Sequence, residues 1–421
     1  MLGAGIKLGI TVTDTVPARL LDLSRIVSRA GRIPTGIDRV ELAYLRAFLT
    51  ETVPVFALVR TAWGFVLLDR QGCRALLDRL EGHVPWGKVD RLSSMRRNLP
   101  DARQRAEADL RQIAVARCLP FRLRHTLRRK LPQGTSYVNV GHANLNGHGL
   151  RATTNALGGP VAVLIHDTIP LDFPQFQRSG SVDRFRLMLD QVRQHASLIL
   201  CNSEQTRRDV IRHMSVSGKV PETLVAGLGI EVPVPDPHPV FPDDFDPDKA
   251  YFVTIGTIEP RKNHMFLLDL WKEMATALPP DQIPQLLICG GRGWNNADVF
   301  ARLDSDPMMG HHVFEMSGLT DGQIAALLRN ARGALFPSHA EGFGLPPAEA
   351  LAQGVKVICN DLEIYREILR DYPVYASIQD RYLWRKEILN MASGQKIGQI
   401  ADKGFEAPSW RSHFNTVLSR L

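Results

Sequence analysis

Short apolar runs alternate with helix-like segments along most of the chain. In the first half, IKLGITV, GPVAVLIHD and ASLILCNS are strand-length runs rich in Val, Ile and Leu. RVELAYLRAFL and SVDRFRLMLDQVRQH have the apolar spacing of amphipathic helices. Continuous apolar strands suit a parallel sheet that is covered on both faces, so this half predicts βαβ units.

This alternation is interrupted once and then starts again. EVPVPDPHPVFPDDFDPDK places six prolines among polar and acidic residues, which predicts an extended linker. Strands and helices then alternate strictly from AYFVTIGT to VKVIC, as in a doubly wound α/β sheet. We therefore predict two Rossmann-like lobes that face a central crevice. The N-terminal lobe covers residues 1–232, the linker covers 233–249 and the C-terminal lobe covers 250–407.

Composition narrows the class of protein. The chain has 421 residues, 44% of them hydrophobic, and no apolar run approaches the roughly 18 residues that a membrane span needs. Its five cysteines lie far apart without a C-x-x-C pair, which argues against a disulfide framework and a zinc site. MLGAGIKLGITVTD lacks the features of a secretory signal, so we expect a cytoplasmic protein.

Positive charge is concentrated in residues 91–130, which hold twelve Arg or Lys against three acidic residues. Leu119, Leu123, Leu127 and Leu131 repeat every four residues there, which predicts a basic amphipathic helix. Such a helix favours peripheral contact with an anionic membrane, although a solvated charged face has the same pattern. We predict no nucleic acid partner, because Phe121 is the segment's one aromatic residue.

Two adjacent cations stand where a strand gives way to a helix in TIGTIEPRKNHMFLLDLW. Arg261 and Lys262 would occupy the first helical turn, where the helix dipole disfavours positive charge. A bound anion such as phosphate would remove this conflict. A solvated surface pair is the alternative.

Two glutamates flank a loop rich in glycine and proline. Glu341 follows the strand GALFPS, and Glu349 falls in the first turn of a helix that Pro346 and Pro347 begin. Carboxylates at such positions can accept paired hydrogen bonds from sugar hydroxyls. The structural alternatives are an ordinary loop residue and a helix-start glutamate that the dipole favours.

Three residues of the first half are weaker candidates. His166 ends an apolar strand, Ser203 follows another, and Gly36 precedes a helix. A structural histidine, a helix N-cap and a turn glycine are the respective alternatives. The DSD sequence at 304–306 resembles a metal-binding D-x-D motif but follows no strand, so we predict no metal site.

SGLTDGQIAALLRNARGALFPSHAEGFGLPPAEALAQG resembles the C-terminal signature of the retaining glycosyltransferases of family four, which have the two-lobed GT-B fold. GTIEPRKN, GIDRV, IHDTIPLDFP and CNSEQTRRDV are similar to other landmarks of the family, in the expected order. GVKV at 354–357 departs from the family's usual G-x-P-V. PSWRSHFNTVLSRL, residues 408–421, resembles the closing helix that crosses back to complete the N-terminal lobe.

The resemblance implies a catalytic set and a donor site. Arg261 and Lys262 match the pair that neutralises the diphosphate of a nucleotide sugar, and His166 matches a histidine beside the donor sugar. Glu341 matches the residue that contacts the sugar hydroxyls, and Glu349 the one that binds the ribose. We expect Glu341, His166, Arg261 and Lys262 to be catalytic.

Further donor-binding positions follow from the same resemblance. Gly318 and Leu319 lie where the backbone meets the base. The loop whose backbone amides approach the sugar and phosphate matches Phe343, Gly344 and Leu345. The predicted site also includes Ser203 and Gly36.

The implied activity is transfer of a sugar from a nucleotide-diphosphate sugar with retention of configuration and without a metal or another cofactor. GDP-mannose is slightly favoured as donor, because mannosyltransferases carry similar HDTIPL segments. The acceptor would be a glycan or a lipid-linked oligosaccharide in the synthesis of a surface polysaccharide, lipopolysaccharide or capsule. Fold alone does not separate this enzyme from a sugar-nucleotide 2-epimerase or a non-catalytic glycan- or nucleotide-binding protein.

Overall fold

The computed structural model of the chain describes residues 16–394 and 404–421, so the predicted strand IKLGITV lies outside the described residues. Two compact units are present. Unit 1 comprises the described residues of Met1–His166, together with Arg184–Leu228 and Trp410–Leu421. Unit 2 comprises Asp167–Asp183 and the described residues of Gly229–Ser409. Within these ranges, no helix is both long enough and apolar enough to cross a membrane.

Each unit contains one β-sheet. The unit 1 sheet has the order β4-β3-β2-β1-β5-β6-β7-β8, and the unit 2 sheet has the order β11-β10-β9-β12-β13-β14. The strands are β1 Arg19–Asp22, β2 Val55–Thr61, β3 Gly64–Leu68, β4 Ala116–Cys118, β5 Ser136–Asn139, β6 Val161–Ile165, β7 Leu198–Cys201, β8 Glu222–Val225, β9 Tyr251–Ile255, β10 Gln285–Cys289, β11 Val313–Met316, β12 Gly333–Phe336, β13 Val357–Cys359 and β14 Val374–Tyr375.

Helices connect most of these strands. The α-helices are α1 Ser24–Ser28, α2 Gly36–Thr50, α3 Arg70–Leu80, α4 Arg91–Ser94, α5 Asp101–Ile113, α6 Leu123–Lys130, α7 Gly147–Leu157, α8 Ile169–Asp172, α9 Ser181–His195, α10 Glu204–Ser215, α11 His264–Ala277, α12 Ala297–Ser305, α13 Asp321–Asn330, α14 Leu345–Ala352, α15 Glu363–Leu369, α16 Arg381–Ser393 and α17 Trp410–Leu418. Short 3₁₀ turns occur at Pro120–Arg122, Pro174–Phe176, Pro260–Lys262 and Pro280–Gln282.

The unit 2 sheet is parallel throughout, as its alternating sequence predicts. Its order places the first strand, β9, beside both β10 and β12, which is the Rossmann arrangement. Successive residues of β9 serve opposite faces, since Val253 packs in one buried cluster and Phe252 in the other. The continuous apolar run of this strand therefore reflects burial on both faces.

The unit 1 sheet is parallel except at one edge. There β3 runs antiparallel to β2 and β4, a hairpin that the sequence analysis did not predict. The turn between β2 and β3 holds only Ala62 and Trp63, and Gly64 follows with a φ of 133° that favours glycine. α17 belongs to this unit, and its His413 Nε2 lies 2.9 Å from the Tyr44 hydroxyl of α2.

Two segments group differently from the predicted lobe boundaries. Residues 167–183 were assigned to the N-terminal lobe, yet they belong to unit 2, where Trp294 Nε1 donates to the Phe176 carbonyl at 3.0 Å. The predicted linker 233–249 has no helix or strand, but it also groups with unit 2. Phe245 in this stretch is 7% exposed, and its ring centroid lies 5.4 Å from that of Phe314. Phe245 therefore packs this stretch against the core of unit 2, a contact that the proline content did not predict.

The predicted basic helix is present as α6, and its apolar face is accounted for by the core. Leu123, Leu127 and Leu131 are buried, whereas Leu119 precedes the helix and is exposed. Arg124, together with the basic residues of the last turn, points outward. Leu123, Leu127 and Leu131 therefore reflect packing within unit 1, whereas Leu119 does not.

Leu127 and Leu119 are expected to respond differently to truncation. Leu127→Ala should lower the free energy of unfolding by about 3 kcal/mol, because a fully buried leucine leaves a cavity. Leu119→Ala should change it by less than about 0.5 kcal/mol, since its side chain is largely in solvent. Urea denaturation of both variants measures the difference, and equal losses would contradict the assignment of the leucine repeat to the core.

Candidate active site

Arg261 and Lys262 lie in a 3₁₀ turn between β9 and α11, one turn earlier than the predicted position in the helix itself. Asn263 separates the turn from the helix and has a φ of 57°. Its Nδ2 donates to the Pro337 carbonyl at 3.2 Å, and the His339 amide donates to the Arg261 carbonyl at 2.7 Å. These bonds join the loops that follow β9 and β12, which end at the same edge of the sheet.

Glu341 binds both cations. Arg261 Nη1 donates to Glu341 Oε2 at 2.8 Å, and Lys262 Nζ donates to Glu341 Oε1 at 2.6 Å. The Glu341 side chain is only 5% exposed, and Lys262 is 9% exposed. The conflict between these cations and the helix dipole is thus relieved here by a carboxylate of the protein. The sequence had pointed to a bound anion for that purpose.

Two hydroxyls hold Glu341 in this position. Ser338 Oγ donates to Oε1 at 2.7 Å, and the Tyr365 hydroxyl donates to the same oxygen at 3.3 Å. Oε1 therefore accepts three hydrogen bonds and Oε2 accepts one. Such a set fixes the orientation of the carboxylate and favours its charged form.

A second carboxylate supports Arg261. Glu259 Oε1 lies 2.6 Å from Arg261 Nε, and Arg261 Nη1 also donates to the Ala340 carbonyl at 3.0 Å. Within the described residues, Arg261 Nη2 has no hydrogen-bond acceptor. Because the side chain is 23% exposed, this corner of the guanidinium can reach a ligand.

Burial and charge act against each other in this cluster. Burial alone would raise the pKa of Glu341, but Lys262 and Arg261 lower it to about 2. Burial lowers the pKa of Lys262, and the neighbouring Glu341 opposes that shift. Burial raises the pKa of Glu259, while Arg261 and Lys262 oppose the change. The cluster therefore carries strongly coupled charges that a low-dielectric site makes costly to separate.

Asp167 adds a third carboxylate to the same electrostatic environment. Burial raises its pKa, and the charge of Arg261 acts in the opposite direction. Asp167 Oδ1 also accepts from the Ile169 amide at 3.1 Å, just before the short helix α8. Arg261 thus interacts with carboxylates from three segments of unit 2: Asp167, Glu259 and Glu341.

Glycines permit two close approaches at this edge. A Cβ on Gly256, at the end of β9, would lie 3.2 Å from Lys262 Cε. A Cβ on Gly344, the N-cap of α14, would lie 2.8 Å from the Tyr365 ring, and its φ is 89°. A side chain at either position would displace a group that contacts Glu341.

The remaining unit 2 candidates are spread over two loops and one helix. Glu349 is half-buried in the second turn of α14, not in its first turn as predicted, because the helix begins at Leu345. Phe343 is buried just before this helix. Gly318 is exposed after β11 with a φ of 78°, and Leu319 packs against a core cluster.

His166, Ser203 and Gly36 all belong to unit 1. His166 is 7% exposed, and its Nε2 donates to the Val140 carbonyl at 2.7 Å, so Nδ1 is the acceptor of the neutral ring. Burial and the neighbouring His142 lower its pKa to about 3, which makes it uncharged at neutral pH. The Ser203 hydroxyl caps α10 by accepting from the Thr206 amide at 3.0 Å, and Gly36 is the first residue of α2.

The aspartates of the DSD sequence pair with arginines. Asp304 accepts from Arg292 at 2.7 Å, and Asp306 accepts from Arg302 at 2.9 Å. In the described part of the chain, no group of three or more His, Cys, Asp or Glu side chains is arranged to hold a metal ion.

Sequence reasoning missed the residues that support the cation pair. Glu259 lies two positions before Arg261, and an acidic residue in a loop that ends a buried strand was the available signal. Tyr365 lies 24 positions beyond Glu341 and carries no signal of its own, because its contact depends on how α15 packs.

Comparison with solved structures defines the class of fold. Anabaena Alr3699/HepE, solved in complex with UDP-glucose, superposes with a TM-score of 0.58 at 15% identity over 96% of this chain and all of that one. The lipopolysaccharide outer core galactosyltransferase WaaB gives a TM-score of 0.54 at 13% identity over 96% of this chain and 99% of its own. These neighbours confirm the predicted two-lobed GT-B fold.

Comparison at the level of sequence is more specific. A family model described as "Glycosyl transferases group 1" matches residues 240–379. The serotype-specific mannosyltransferase WbdA of Escherichia coli is 28% identical over 238 residues, which cover 53% of this chain and 28% of WbdA. The O-antigen chain mannosyltransferase B of Escherichia coli is 28% identical over 220 residues, which cover 51% of this chain and 56% of that relative.

The predicted resemblance to the group 1 glycosyltransferases is confirmed, and the residues that match the family model all lie in unit 2. It spans less than two thirds of the length of the mannosyltransferases that it matches. The matched residues 240–379 include Arg261, Lys262, Glu341 and Glu349.

Proposed function

We propose that the protein transfers a hexose from a nucleotide-diphosphate sugar to a glycan or lipid-linked oligosaccharide, with retention of configuration and without a metal. The observation that carries this proposal is the pair Arg261 and Lys262 on the shared carboxylate of Glu341, at the carboxyl edge of the unit 2 sheet. Ligands of open α/β sheets bind at this edge. A buried lysine and a partly exposed arginine there suit a diphosphate.

Glu341 has a different role in the free and the donor-bound protein under this proposal. In the free protein it neutralises Lys262, whose ammonium it binds in a largely buried position, and shares Arg261 with Glu259. When the diphosphate binds, its oxygens take over these cations, and the carboxylate becomes available to the hydroxyls of the donor sugar. The open Nη2 of Arg261 supplies the first contact for a phosphate oxygen.

The chemistry then needs only charge stabilisation and position. The bond between C1 of the sugar and the phosphate oxygen breaks, and its electron pair remains on the phosphate. The acceptor hydroxyl attacks C1 from the same face, and its proton passes to the departing phosphate. Arg261 and Lys262 act where negative charge develops, which is the most effective place for a cation. His166, neutral at physiological pH, would contact the donor sugar.

The other donor contacts follow the family resemblance. Glu349 would bind the ribose, and the backbone at Gly318 and Leu319 would meet the base. The amides of the Phe343–Leu345 loop would approach the sugar and phosphate, helped by the left-handed Gly344. Within the same proposal, Ser203 and Gly36 would add to the contribution that His166 makes from unit 1.

GDP-mannose is the donor that we favour. The matched relatives named above are mannosyltransferases. One is described as serotype-specific and the other as an O-antigen chain mannosyltransferase. We therefore propose a role in surface polysaccharide synthesis, such as lipopolysaccharide or capsule. The enzyme would work in the cytoplasm, with peripheral contact with the inner face of the membrane as its route to a lipid-linked acceptor.

A thermal-stability panel tests the donor site. In the presence of EDTA, GDP and GDP-mannose are expected to raise the melting temperature, while UDP, dTDP and their sugars have smaller effects. At a ligand concentration of about 100 Kd, the gain in the free energy of unfolding is about 2.7 kcal/mol. Adding Mg²⁺ should change these values little, because Arg261 and Lys262 supply the charge.

The panel separates the parts of the proposal. Stabilisation by UDP or dTDP in place of GDP would correct the donor and leave the site intact. Stabilisation that requires Mg²⁺ would contradict metal independence. If no nucleotide stabilises the protein, the assignment of the site is wrong.

A further inference from the structure

Four exposed apolar side chains lie in two short segments that contact one hairpin of unit 1. Leu92, Met95, Leu119 and Phe121 are 42%, 67%, 51% and 71% exposed. Single exposed apolar side chains are ordinary on protein surfaces, but a group of them flanked by polar residues marks an interaction site. We call these four residues and the cations around them the edge surface.

Trp63, in the turn between β2 and β3, connects the two halves of the edge surface. Its Nε1 donates to the Leu92 carbonyl at 2.9 Å, which fixes α4 against the turn. On the other side, a Cβ on Gly64 would lie 3.2 Å from Leu119 Cα. The hairpin tip therefore contacts both segments that carry the exposed apolar residues, at Leu92 and at Leu119.

Positive charge surrounds this apolar group. The Arg96 guanidinium lies 4.7 Å from the centroid of the Trp63 ring, and that of Arg122 lies 5.9 Å from the centroid of Phe121. Nine basic residues between positions 91 and 130 are exposed and have no ion pair within the described part of the chain. They are Arg91, Arg96, Arg97, Arg117, Arg122, Arg124, Arg128, Arg129 and Lys130.

The acidic residues of the same region do not offset these cations, because other arginines already bind them. Their pairs are Asp90–Arg111, Asp101–Arg105, Glu107–Arg103 and Asp109–Arg79. The edge surface therefore presents uncompensated positive charge next to exposed apolar side chains.

We infer that the edge surface docks on a bilayer that contains anionic phospholipid. The cations would bind the phosphates of the headgroups, while Phe121, Leu119, Leu92 and Met95 enter the boundary between headgroups and acyl chains. A second copy of the chain would bring like charges together, which disfavours it. Nucleic acid lacks a stacking platform here, since Arg96 covers the Trp63 ring and Phe121 alone is an exposed aromatic.

This inference names the surface that would make the membrane contact of the proposed function. It rests on that contact and not on the proposed donor site. The cation pair that carries the donor proposal lies in unit 2 and the edge surface lies in unit 1, so a failed nucleotide assay leaves the docking surface untouched. A failed vesicle assay equally leaves the donor site standing.

Flotation with vesicles tests the inference. The full chain is expected to float with vesicles of phosphatidylcholine and phosphatidylglycerol in equal parts, and not with pure phosphatidylcholine. Leu119→Ser combined with Phe121→Ser should reduce the partition at least about tenfold, because two apolar anchors are lost. Arg122→Gln combined with Arg124→Gln should reduce it about fivefold per charge, and high salt should do the same.

A matched variant controls for exposed apolar residues in general. Leu187 and Val216, which are 66% and 87% exposed in unit 1, lie outside the edge surface, and their double change to serine should leave the partition unchanged. Equal loss in this control, or equal flotation with both vesicle types, would overturn the inference. It is also overturned if the Leu119 and Phe121 changes alter the oligomeric state or RNA binding and leave flotation intact.

Discussion

Replacing Arg261 with alanine is expected to weaken the binding of GDP about 100-fold and to slow sugar transfer by a factor of about 10³. The guanidinium is held by Glu259 at Nε and by Glu341 at Nη1, and its Nη2 has no acceptor among the described residues, which leaves it available to a phosphate oxygen. Under the proposed function it would also stabilise the charge that develops on the departing phosphate in the transition state. Titration calorimetry with GDP and release of GDP from GDP-mannose in the presence of acceptor measure the two effects.

Two further variants make this prediction specific. Arg261→Lys keeps the charge but cannot bind Glu259, Glu341 and a phosphate with one planar group, so an intermediate loss is expected. Arg381→Ala removes a surface arginine of the same unit that pairs with Asp269 and Glu273, and should leave both values unchanged. A folded Arg261→Ala protein that binds GDP as tightly as the parent would show that the phosphates bind elsewhere.

Periodicity predicted the unit 2 fold well because nearly every strand is buried on both faces. β9, β10, β12 and β13 are apolar runs of the kind that only a covered parallel sheet accepts. The sequence analysis did not predict β11. Its sequence VFEM follows two histidines, and the strand lies at the edge of the sheet, where apolar residues are less strictly required. The apolar pattern of a strand therefore reflects how fully the strand is buried, and the pattern is weaker in a less buried strand.

The grouping of residues 167–183 and 233–249 could not be read from local sequence. In both stretches a few aromatic side chains decide the packing, as Phe176 does by stacking on His339 with centroids 5.3 Å apart. Proline content correctly excluded regular structure in the second stretch. It carries no information on whether a stretch without helix or strand packs on a core.

The candidate site was predictable as a set of residues and not as an arrangement. Charge placement and strand ends identified Arg261, Lys262 and Glu341, and the family resemblance assigned the cations and the carboxylate to different parts of a ligand. In the structure they bind one another, with Ser338 and Tyr365 completing the contacts of the carboxylate. Tertiary packing brings together groups that are about 80 positions apart in the sequence, and no local sequence pattern predicts such a contact.

Glu341 provides the second large expected effect, on stability. Glu341→Ala should lower the free energy of unfolding at neutral pH by about 3 kcal/mol, because two largely buried cations lose their shared carboxylate. Glu315→Gln removes a partner of Arg292 at a more exposed site, and should cost less than about 1 kcal/mol. Chemical denaturation of the two variants and the parent measures the contrast.

The same pairing predicts a pH dependence with a defined sign. The pKa of Glu341 is lowered from 4.5 to about 2 in the folded protein, so its contribution is fully present above pH 4.5 and is lost as pH falls toward 2. The parent should therefore lose roughly 3 kcal/mol more than Glu341→Gln over this window. Parallel pH curves for the two proteins would contradict the pairing.

Ligand rescue distinguishes exchange of anions from a purely structural carboxylate. If the diphosphate takes the place of Glu341 on Arg261 and Lys262, GDP should raise the melting temperature of Glu341→Ala more than that of the parent. Sugar transfer by the variant should nevertheless stay about 10² to 10³ below the parent, because the hydroxyls of the donor sugar have lost their acceptor. Equal stabilisation of both proteins by GDP would mean that the nucleotide leaves the pair between Glu341 and the cations in place, and the exchange would then be wrong.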